Sequence, residues 1–188
     1  MALKIGVIAE EQNDIDVLYR LTCKILPESH FSFRRFIGGG CGRLRKKCGA
    51  WARNLIRRGC THLVVMHDRD ARDEGALRRD LEARVGPLGF QGHVILIPVE
   101  ELEAWLLCDA DALRRVFGMS DVPKVPARPD LLTKPKEYLR DMVWRMSKRR
   151  YVNTIHNAKI AHEMSLTSLG ACASFGRYPR FVRRVDPG

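Results

Sequence analysis

The chain has 188 residues, 45% of them hydrophobic and 29% charged, which is enough for a domain with a real core and excludes a disordered protein. No stretch approaches the ~20 apolar residues that span a bilayer, and the N-terminus meets acid too early for a signal peptide, so we expect a cytoplasmic protein without a membrane partner. The net charge of +11 indicates a polyanionic partner, with nucleic acid the first candidate.

The cysteines are scattered and include no Cys-x-x-Cys pair. This pattern argues against a zinc ribbon and against a secreted disulfide framework. Several of them fall at apolar positions, where cysteine acts as a small core residue.

The first strand is predicted over residues 4–9 and ends at Glu10. A helix beginning at Asp14 follows, because apolar residues recur there with helical spacing. Asn13 is the predicted N-cap of this helix, and Asp16 takes the place of a capping-box acid. Glu10 lies at the strand end, where no cap is needed.

A second strand is predicted over residues 30–37, and three glycines then precede a basic helix over residues 42–58. A glycine run before a helix can indicate a phosphate loop, but no Gly-Lys-Ser/Thr follows, which excludes a Walker A motif. The helix fits a nucleic-acid-binding element and equally a solvated charged face. Its candidate nucleic-acid-binding residues are Arg43, Arg45, Lys46, Lys47, Arg53 and Arg57.

The third strand, residues 61–67, is apolar and ends at Asp68 and Asp70. In an extended chain, residues two apart point to the same face, so these carboxylates would lie side by side. Such a pair repels unless a cation or a proton lies between its members, and Mg²⁺ prefers oxygen ligands of this type. The alternative is that one aspartate caps the next helix and the other is solvated. That next helix runs to about residue 85, with Asp73 as its cap.

The fourth strand, residues 91–98, is followed by a helix start that carries several glutamates. Four alternations of strand and helix predict a parallel sheet with helices on its faces. In such a sheet the carboxyl ends of the strands share one edge, where ligands bind. The acidic residues expected at that edge are Glu10, Asp68, Asp70, Glu100, Glu101 and Glu103.

The rest of the chain is basic and helical. Residues 120–129 are proline-rich and predict a connector, so the chain divides into an α/β domain (1–118) and a helical extension packed on it (119–188). A basic helix over residues 134–150 has Tyr138, Met142 and Met146 as candidate core positions. Near the C-terminus, Tyr178 and Phe181 alternate with arginines, a pattern that favours docking onto the core over stacking on bases.

Glu10, with Asp14 nearby, and Asp68-Arg69-Asp70 resemble the acidic motifs of the Toprim domain of topoisomerases, primases and overcoming-lysogenization-defect nucleases. More closely, residues 101–109 and 172–175 resemble small stand-alone Toprim-like proteins of unknown function. Those proteins often accompany an ABC-type ATPase in bacterial defence loci. One departure is Glu11, which stands where the Toprim domain has glycine.

The resemblance implies a Toprim-like (Rossmann-like) fold with a four-stranded, mainly parallel sheet. It also implies a nuclease that hydrolyses DNA or RNA with Mg²⁺ or Mn²⁺. Such a nuclease would act as an anti-phage effector, with a possible ATPase partner. Glu10, Asp68 and Asp70 would hold one metal. A second metal ligand or a base would come from Glu103, Glu101 or Glu100. Lys134 and Lys159 are candidates for the basic catalytic residue, and an ordinary surface lysine is the alternative reading of each.

Two other functions are alternatives to a nuclease. A catalytically degenerate Toprim module that binds nucleic acid or an ATPase partner stays open, because Glu11 alters the turn. A phosphatase with Asp68 as nucleophile is disfavoured, because its Asp-x-Asp pair belongs on the first strand and Arg72 stands where Thr or Val is expected.

Overall fold

A computed structural model of the chain describes residues 2–69 and 72–185. Within them, four strands form one sheet in the order β2-β1-β3-β4, and every neighbouring pair is parallel. The strands are β1 (Leu3–Ala9), β2 (Phe31–Ile37), β3 (His62–Met66) and β4 (Gly92–Leu96). Helices flank the sheet, so the predicted α/β fold class, with a parallel Rossmann-like sheet and a helical C-terminal part, is confirmed.

Helices connect the strands and make up most of the C-terminal third of the chain. They are α1 (Gln12–Cys23), α2 (Cys41–Arg57), α3 (Glu74–Val85), α4 (Glu103–Leu106), α5 (Ala110–Phe117), α6 (Pro135–Ser147), α7 (Asn153–Glu163) and α8 (Arg177–Arg184). None of the helices in the described part of the chain is long and apolar enough to cross a membrane.

The central strands are buried on both faces. Val64 of β3 belongs to the core shared with α1 and the C-terminal helices, whereas Val65 packs with α2 and α3. Successive residues of a strand point to opposite faces, and a strand covered on both faces must be apolar throughout. This explains why the apolar run before Asp68 is continuous, and it holds the end of β3 rigidly.

The C-terminal helices pack onto α1. Tyr178 of α8 is fully buried, and its hydroxyl lies 2.5 Å from Thr22 Oγ1 and 3.1 Å from the carbonyl oxygen of Leu18. Phe181 is buried as well, so the predicted docking of both aromatic residues onto the core is confirmed. The division of the chain at residue 118 stays a prediction.

The predicted N-cap of α1 is wrong. Glu11, not Asn13, is the N-cap residue, and its backbone N–H donates to Asp14 Oδ2 at 2.8 Å. Asp14 therefore takes the third helical position of a capping box, where an acid reaches back to the N-cap amide. Asp16 instead accepts a hydrogen bond from Gln12 Nε2 at 2.7 Å.

Two further details differ from the sequence prediction. Met146, predicted as core, is 37% exposed, because α6 buries only its earlier turns, through Leu139, Met142 and Val143. The helix expected directly after β4 begins only at Glu103, because Glu100 has a positive φ of 61°, which no helical residue adopts.

Candidate functional site

The ends of β1 and β3 bring Glu10 and Asp68 together. The two strands are direct neighbours, with Ile8 opposite Val65. Beyond this pairing, Glu10 Oε1 accepts the backbone N–H of Asp68 at 3.1 Å. Both residues are partly exposed, so the edge predicted to be acidic is open to a ligand. Asp70, the other half of the predicted pair, lies outside the described residues.

His67 holds Glu10 in place from inside the protein. Its side chain is fully buried, and its Nδ1 lies 2.6 Å from the Asp68 carbonyl oxygen and 3.2 Å from Glu10 Oε1. Because both of these atoms are acceptors, Nδ1 must carry a proton and donate. The sequence interpretation gave His67 no role, although its place between a buried strand and Asp68 was a usable signal.

Arg69 links the loop after β3 to the loop after β4. Its Nε donates to Glu100 Oε1 at 3.1 Å, and Nη2 contacts the same oxygen. Its backbone N–H also donates to the Pro98 carbonyl at 3.2 Å. The left-handed backbone of Glu100 is costly for a residue with a side chain and is retained where surrounding contacts enforce it. Glu100 is thus an ion-pair partner of Arg69.

Glu101 and Glu103 face different surroundings. Glu101 Oε2 accepts the backbone N–H of Lys136 at 2.9 Å, at the start of α6, where the helix dipole favours an anion. Burial raises the pKa of Glu101, and the Lys136 N–H opposes that rise. Glu103 is only 4% exposed and packs inside the protein.

The Glu103 carboxylate is bound by residues of the C-terminal part. Its Oε1 lies 2.8 Å from the Tyr151 hydroxyl and accepts from Asn157 Nδ2 at 3.2 Å. Burial and then the charge of Glu103 raise the pKa of Tyr151 well above its ordinary value, so the hydroxyl stays protonated. Glu103 therefore links α4 to α7 through hydrogen bonds. The residues next to it in the sequence do not reveal this role.

Asp14 adds a further buried carboxyl to this region, since it is only 7% exposed. Burial raises its pKa to about 7, the Glu11 N–H opposes the rise, and the charges of Glu11, Glu103 and Glu10 reinforce it. Ionisation of Asp14 is therefore disfavoured mainly by its burial and also by the neighbouring carboxylates.

We expect Asp14→Asn to stabilise the metal-free protein at pH 8 by on the order of 2 kcal/mol. The raised pKa means that ionised Asp14 opposes folding above pH 7, and the penalty disappears as the pH falls from 7 towards the unfolded-state value near 4. Urea unfolding in EDTA at pH 8 and pH 5 measures this. The gain should be less than half as large at pH 5, and an equal gain at both pH values would contradict the charge explanation.

A basic cleft adjoins the acidic edge. It has a volume of ≈580 Å³, and Glu100, Glu101 and Tyr151 form part of its wall. The cationic side chains that line it are Lys134, Lys136, Arg140 and Arg150. Lys134 is thus beside the acidic residues, with its Nζ 3.1 Å from Glu137 Oε1. Lys159 lines a separate cleft with Arg20 and Arg115.

The candidate nucleic-acid residues of α2 are not part of this cleft. Arg43, Lys46 and Lys47 are exposed, as are Arg53 and Arg57. Arg45 differs from them, because its Nε lies 3.1 Å from Asp80 Oδ2 of α3. The exposed cations of α2 suit either a bound polyanion or solvent.

The donor types at the acidic edge fit a hard divalent cation, since Glu10 and Asp68 carry carboxylate oxygens, the ligands that such an ion prefers. Yet residues 2–69 and 72–185 contain no group of three or more His, Cys, Asp or Glu side chains that could hold a metal ion.

Comparison with known proteins gives one family match. No curated protein and no solved structure matches the chain. A family model described as "Domain of unknown function (DUF4276)" matches residues 12–183, a range that includes Asp68, Asp70, Glu103 and the basic cleft. Because this match covers nearly the whole length, the chain belongs to the DUF4276 family.

Proposed function

We propose that the protein is a divalent-metal-dependent nuclease that hydrolyses phosphodiester bonds of DNA or RNA. The observation that carries this proposal is the hydrogen bond from the Asp68 backbone N–H to the Glu10 carboxylate at the ends of adjacent parallel strands, near a cleft lined by four cationic and three acidic side chains. Metal-dependent phosphodiester hydrolysis requires carboxylates that bind a metal ion and, beside them, lysine or arginine side chains that bind the phosphate. The resemblance of the same acidic residues to the Toprim motifs also supports it.

In the proposed site, Glu10, Asp68 and Asp70 would hold Mg²⁺ or Mn²⁺. The bound ion would polarise the phosphate and lower the pKa of a bound water. His67 Nδ1 lies 3.2 Å from Glu10 Oε1, and such a contact restricts the orientation of a ligating side chain. Lys134, Lys136 and the arginines of the cleft would bind the phosphates on either side of the scissile bond.

The other acidic residues take revised roles in this proposal. Glu100 is paired with Arg69 and Glu101 with the Lys136 amide, so we assign both to shaping the loop and the cleft. Glu103, which the sequence offers as a metal ligand or a base, forms hydrogen bonds with Tyr151 and Asn157, and we assign it as a positioning residue. Lys159 is left out of the site because it lines another cleft.

The resemblance to Toprim-like proteins of defence loci extends the proposal to a biological role. We propose that the nuclease acts in the cytoplasm as an anti-phage effector, with an ABC-type ATPase as its protein partner. The cation-rich surface, at a net charge of +11, suits a nucleic-acid target.

A binding module without catalysis is the second candidate. It is favoured by Glu11, which stands where the Toprim domain has glycine, and by the lack of a three-ligand group among residues 2–69 and 72–185. Such a module would bind nucleic acid, or the ATPase, without needing a metal.

The test is to incubate the full chain with plasmid, single-stranded DNA and RNA, in Mg²⁺, Mn²⁺ or EDTA. We expect cleavage of at least one substrate with metal, none in EDTA, and none by Asp68→Ala or Asp70→Ala. Metal-independent binding without cleavage of any substrate, alone and with an ABC-type ATPase added, would overturn the nuclease proposal and support the binding module.

A further inference from the structure

The open edge of the sheet carries a second cationic groove, which shares no lining residue with the basic cleft. β4 is the last strand in the sheet order, so one of its sides has no neighbouring strand. α3 covers one face of the sheet here and α8 packs against β4 from the other. Between them runs a groove of ≈810 Å³ along His93, Val94 and Ile95. We name it the β4-edge groove.

Arginines dominate this groove from both sides. α3 contributes Arg78 and Arg79, and α8 contributes Arg177, Arg180 and Arg184. The acidic side chain in the lining is Glu82, whose Oε1 lies 2.6 Å from His93 Nε2. The charge of the groove therefore stays strongly positive, which favours an anionic ligand.

The α8 arginines are arranged along one side of their helix. Arg177, Arg180 and Arg184 are spaced by three and four residues, so they lie in one row. The opposite side of α8 is buried through Tyr178, Phe181 and Val182. Docking of the helix by its apolar side therefore presents the row of cations to the groove.

The arginines of the groove are only partly explained by protection of the open β4 edge against pairing with another strand. Arg78 Nη1 donates to the Ile95 carbonyl at 2.7 Å, which occupies an edge acceptor that could otherwise pair with another strand. Arg79, Arg177 and Arg184 are exposed, and no hydrogen bond or ion pair with another described residue engages their guanidinium groups. They are available for a ligand.

We infer that the β4-edge groove binds the phosphodiester backbone of a nucleic acid. This inference rests on the proposed function and identifies a surface along which the nucleic-acid substrate would bind. Guanidinium groups bind phosphate oxygens in a bidentate manner, and a row of them suits a ligand with regularly repeated phosphates. The large hydrophobic side chains that are exposed in the described chain, Trp144 and Ile155 among them, lie outside this groove. This disfavours a membrane surface, which such residues would penetrate.

The groove and the acidic site lie towards opposite ends of the strands. His62, Gln91 and Gly92 in the groove mark the amino ends of β3 and β4, whereas Glu10 and Asp68 follow carboxyl ends. A five-residue strand spans roughly 15 Å, which corresponds to about five base pairs of duplex. A nucleic acid longer than this could contact both places.

The test compares two triple variants of the full chain that remove equal charge. The groove variant is Arg79→Ala, Arg177→Ala and Arg184→Ala. The control is Lys124→Ala, Arg128→Ala and Arg145→Ala, which are exposed positions outside the groove. Fluorescence anisotropy with fluorescein-labelled 20-base single-stranded and 20-base-pair DNA, in EDTA over a range of KCl, measures Kd and its salt dependence.

We expect the groove variant to raise Kd at least tenfold at low salt, and to lower the salt slope for duplex by about two to three. The control should change Kd less than threefold. Arg79→Glu alone, which leaves α8 intact, should weaken binding in the same direction. Equal effects of the groove variant and the control, or binding of poly-glutamate or anionic vesicles through the groove with no effect on DNA, would overturn the inference.

A groove that does not bind nucleic acid and a protein that is not a nuclease would give different results. Binding in EDTA requires no catalysis, so the groove can be established even if no substrate is cleaved. Hydrolysis of bis(p-nitrophenyl) phosphate, which is too small to reach the groove, reports on the acidic site alone. We expect the groove variant to retain that hydrolysis while losing DNA affinity.

Discussion

Asp68→Asn is expected to slow metal-dependent cleavage on the order of a thousandfold, which corresponds to ~4 kcal/mol of lost transition-state stabilisation. The amide has nearly the same shape as the carboxylate but lacks the charge that holds a cation. The backbone N–H of Asp68, which donates to Glu10, is unchanged, so the local fold should survive. Single-turnover cleavage rates in Mg²⁺ and Mn²⁺, with the thermal unfolding temperature recorded for each variant, measure the effect.

Asp73→Asn is the matched control for Asp68→Asn. Asp73 caps α3, and its Oδ1 accepts the Ala76 N–H at 2.7 Å. Asparagine caps helices about as well as aspartate, so both the rate and the stability should stay near the wild-type values. A normal cleavage rate in Asp68→Asn, or an equal loss in Asp73→Asn, would remove Asp68 from the site.

Trp105→Ala is expected to lower the free energy of unfolding by about 4 kcal/mol. The side chain is fully buried, its Nε1 donates to Ser174 Oγ at 2.8 Å, and its ring lies edge-on to Phe175 with centroids 5.2 Å apart. Truncation would leave a large cavity between α4 and the segment that precedes α8, and the Ser174 hydroxyl would lose its donor. Urea unfolding followed by circular dichroism measures the loss.

Trp144→Ala supplies the same substitution at an exposed site. Trp144 is 55% exposed, so we expect a change within ~0.5 kcal/mol. Similar losses in the two variants would mean that burial does not set the cost, and would contradict the packing of the C-terminal segment onto α4.

The sequence predicted the features that follow from local pattern and from sheet topology. A continuous apolar run ending at Asp68 indicated a buried strand, and parallel topology placed Glu10 at the same edge, where the two residues now form a hydrogen bond. Asp73 was predicted as a cap and is one. These predictions succeeded because each depends on a few neighbouring residues or on a general rule for parallel sheets.

Other parts of the site come from contacts between distant segments, for which the sequence carries no local signal. The Glu103–Tyr151 hydrogen bond joins residues 48 apart in the chain. The Cys108 and Cys172 sulfurs lie 2.6 Å apart although the cysteine spacing gave no hint of it. The cap of α1 differs for another reason, since asparagine is a common N-cap residue whereas Glu11 takes this position with its backbone N–H donating to Asp14 Oδ2.

The measurement that tests the central claim most directly is Mn²⁺ binding, followed by electron paramagnetic resonance of the free ion. We expect the wild-type chain and Asp73→Asn to bind Mn²⁺ with equal affinity, and Asp68→Asn and Glu10→Gln each to bind at least tenfold more weakly. The absence of Mn²⁺ binding by the wild-type chain, or the same affinity in all four proteins, would contradict a metal site at the acidic end of the sheet.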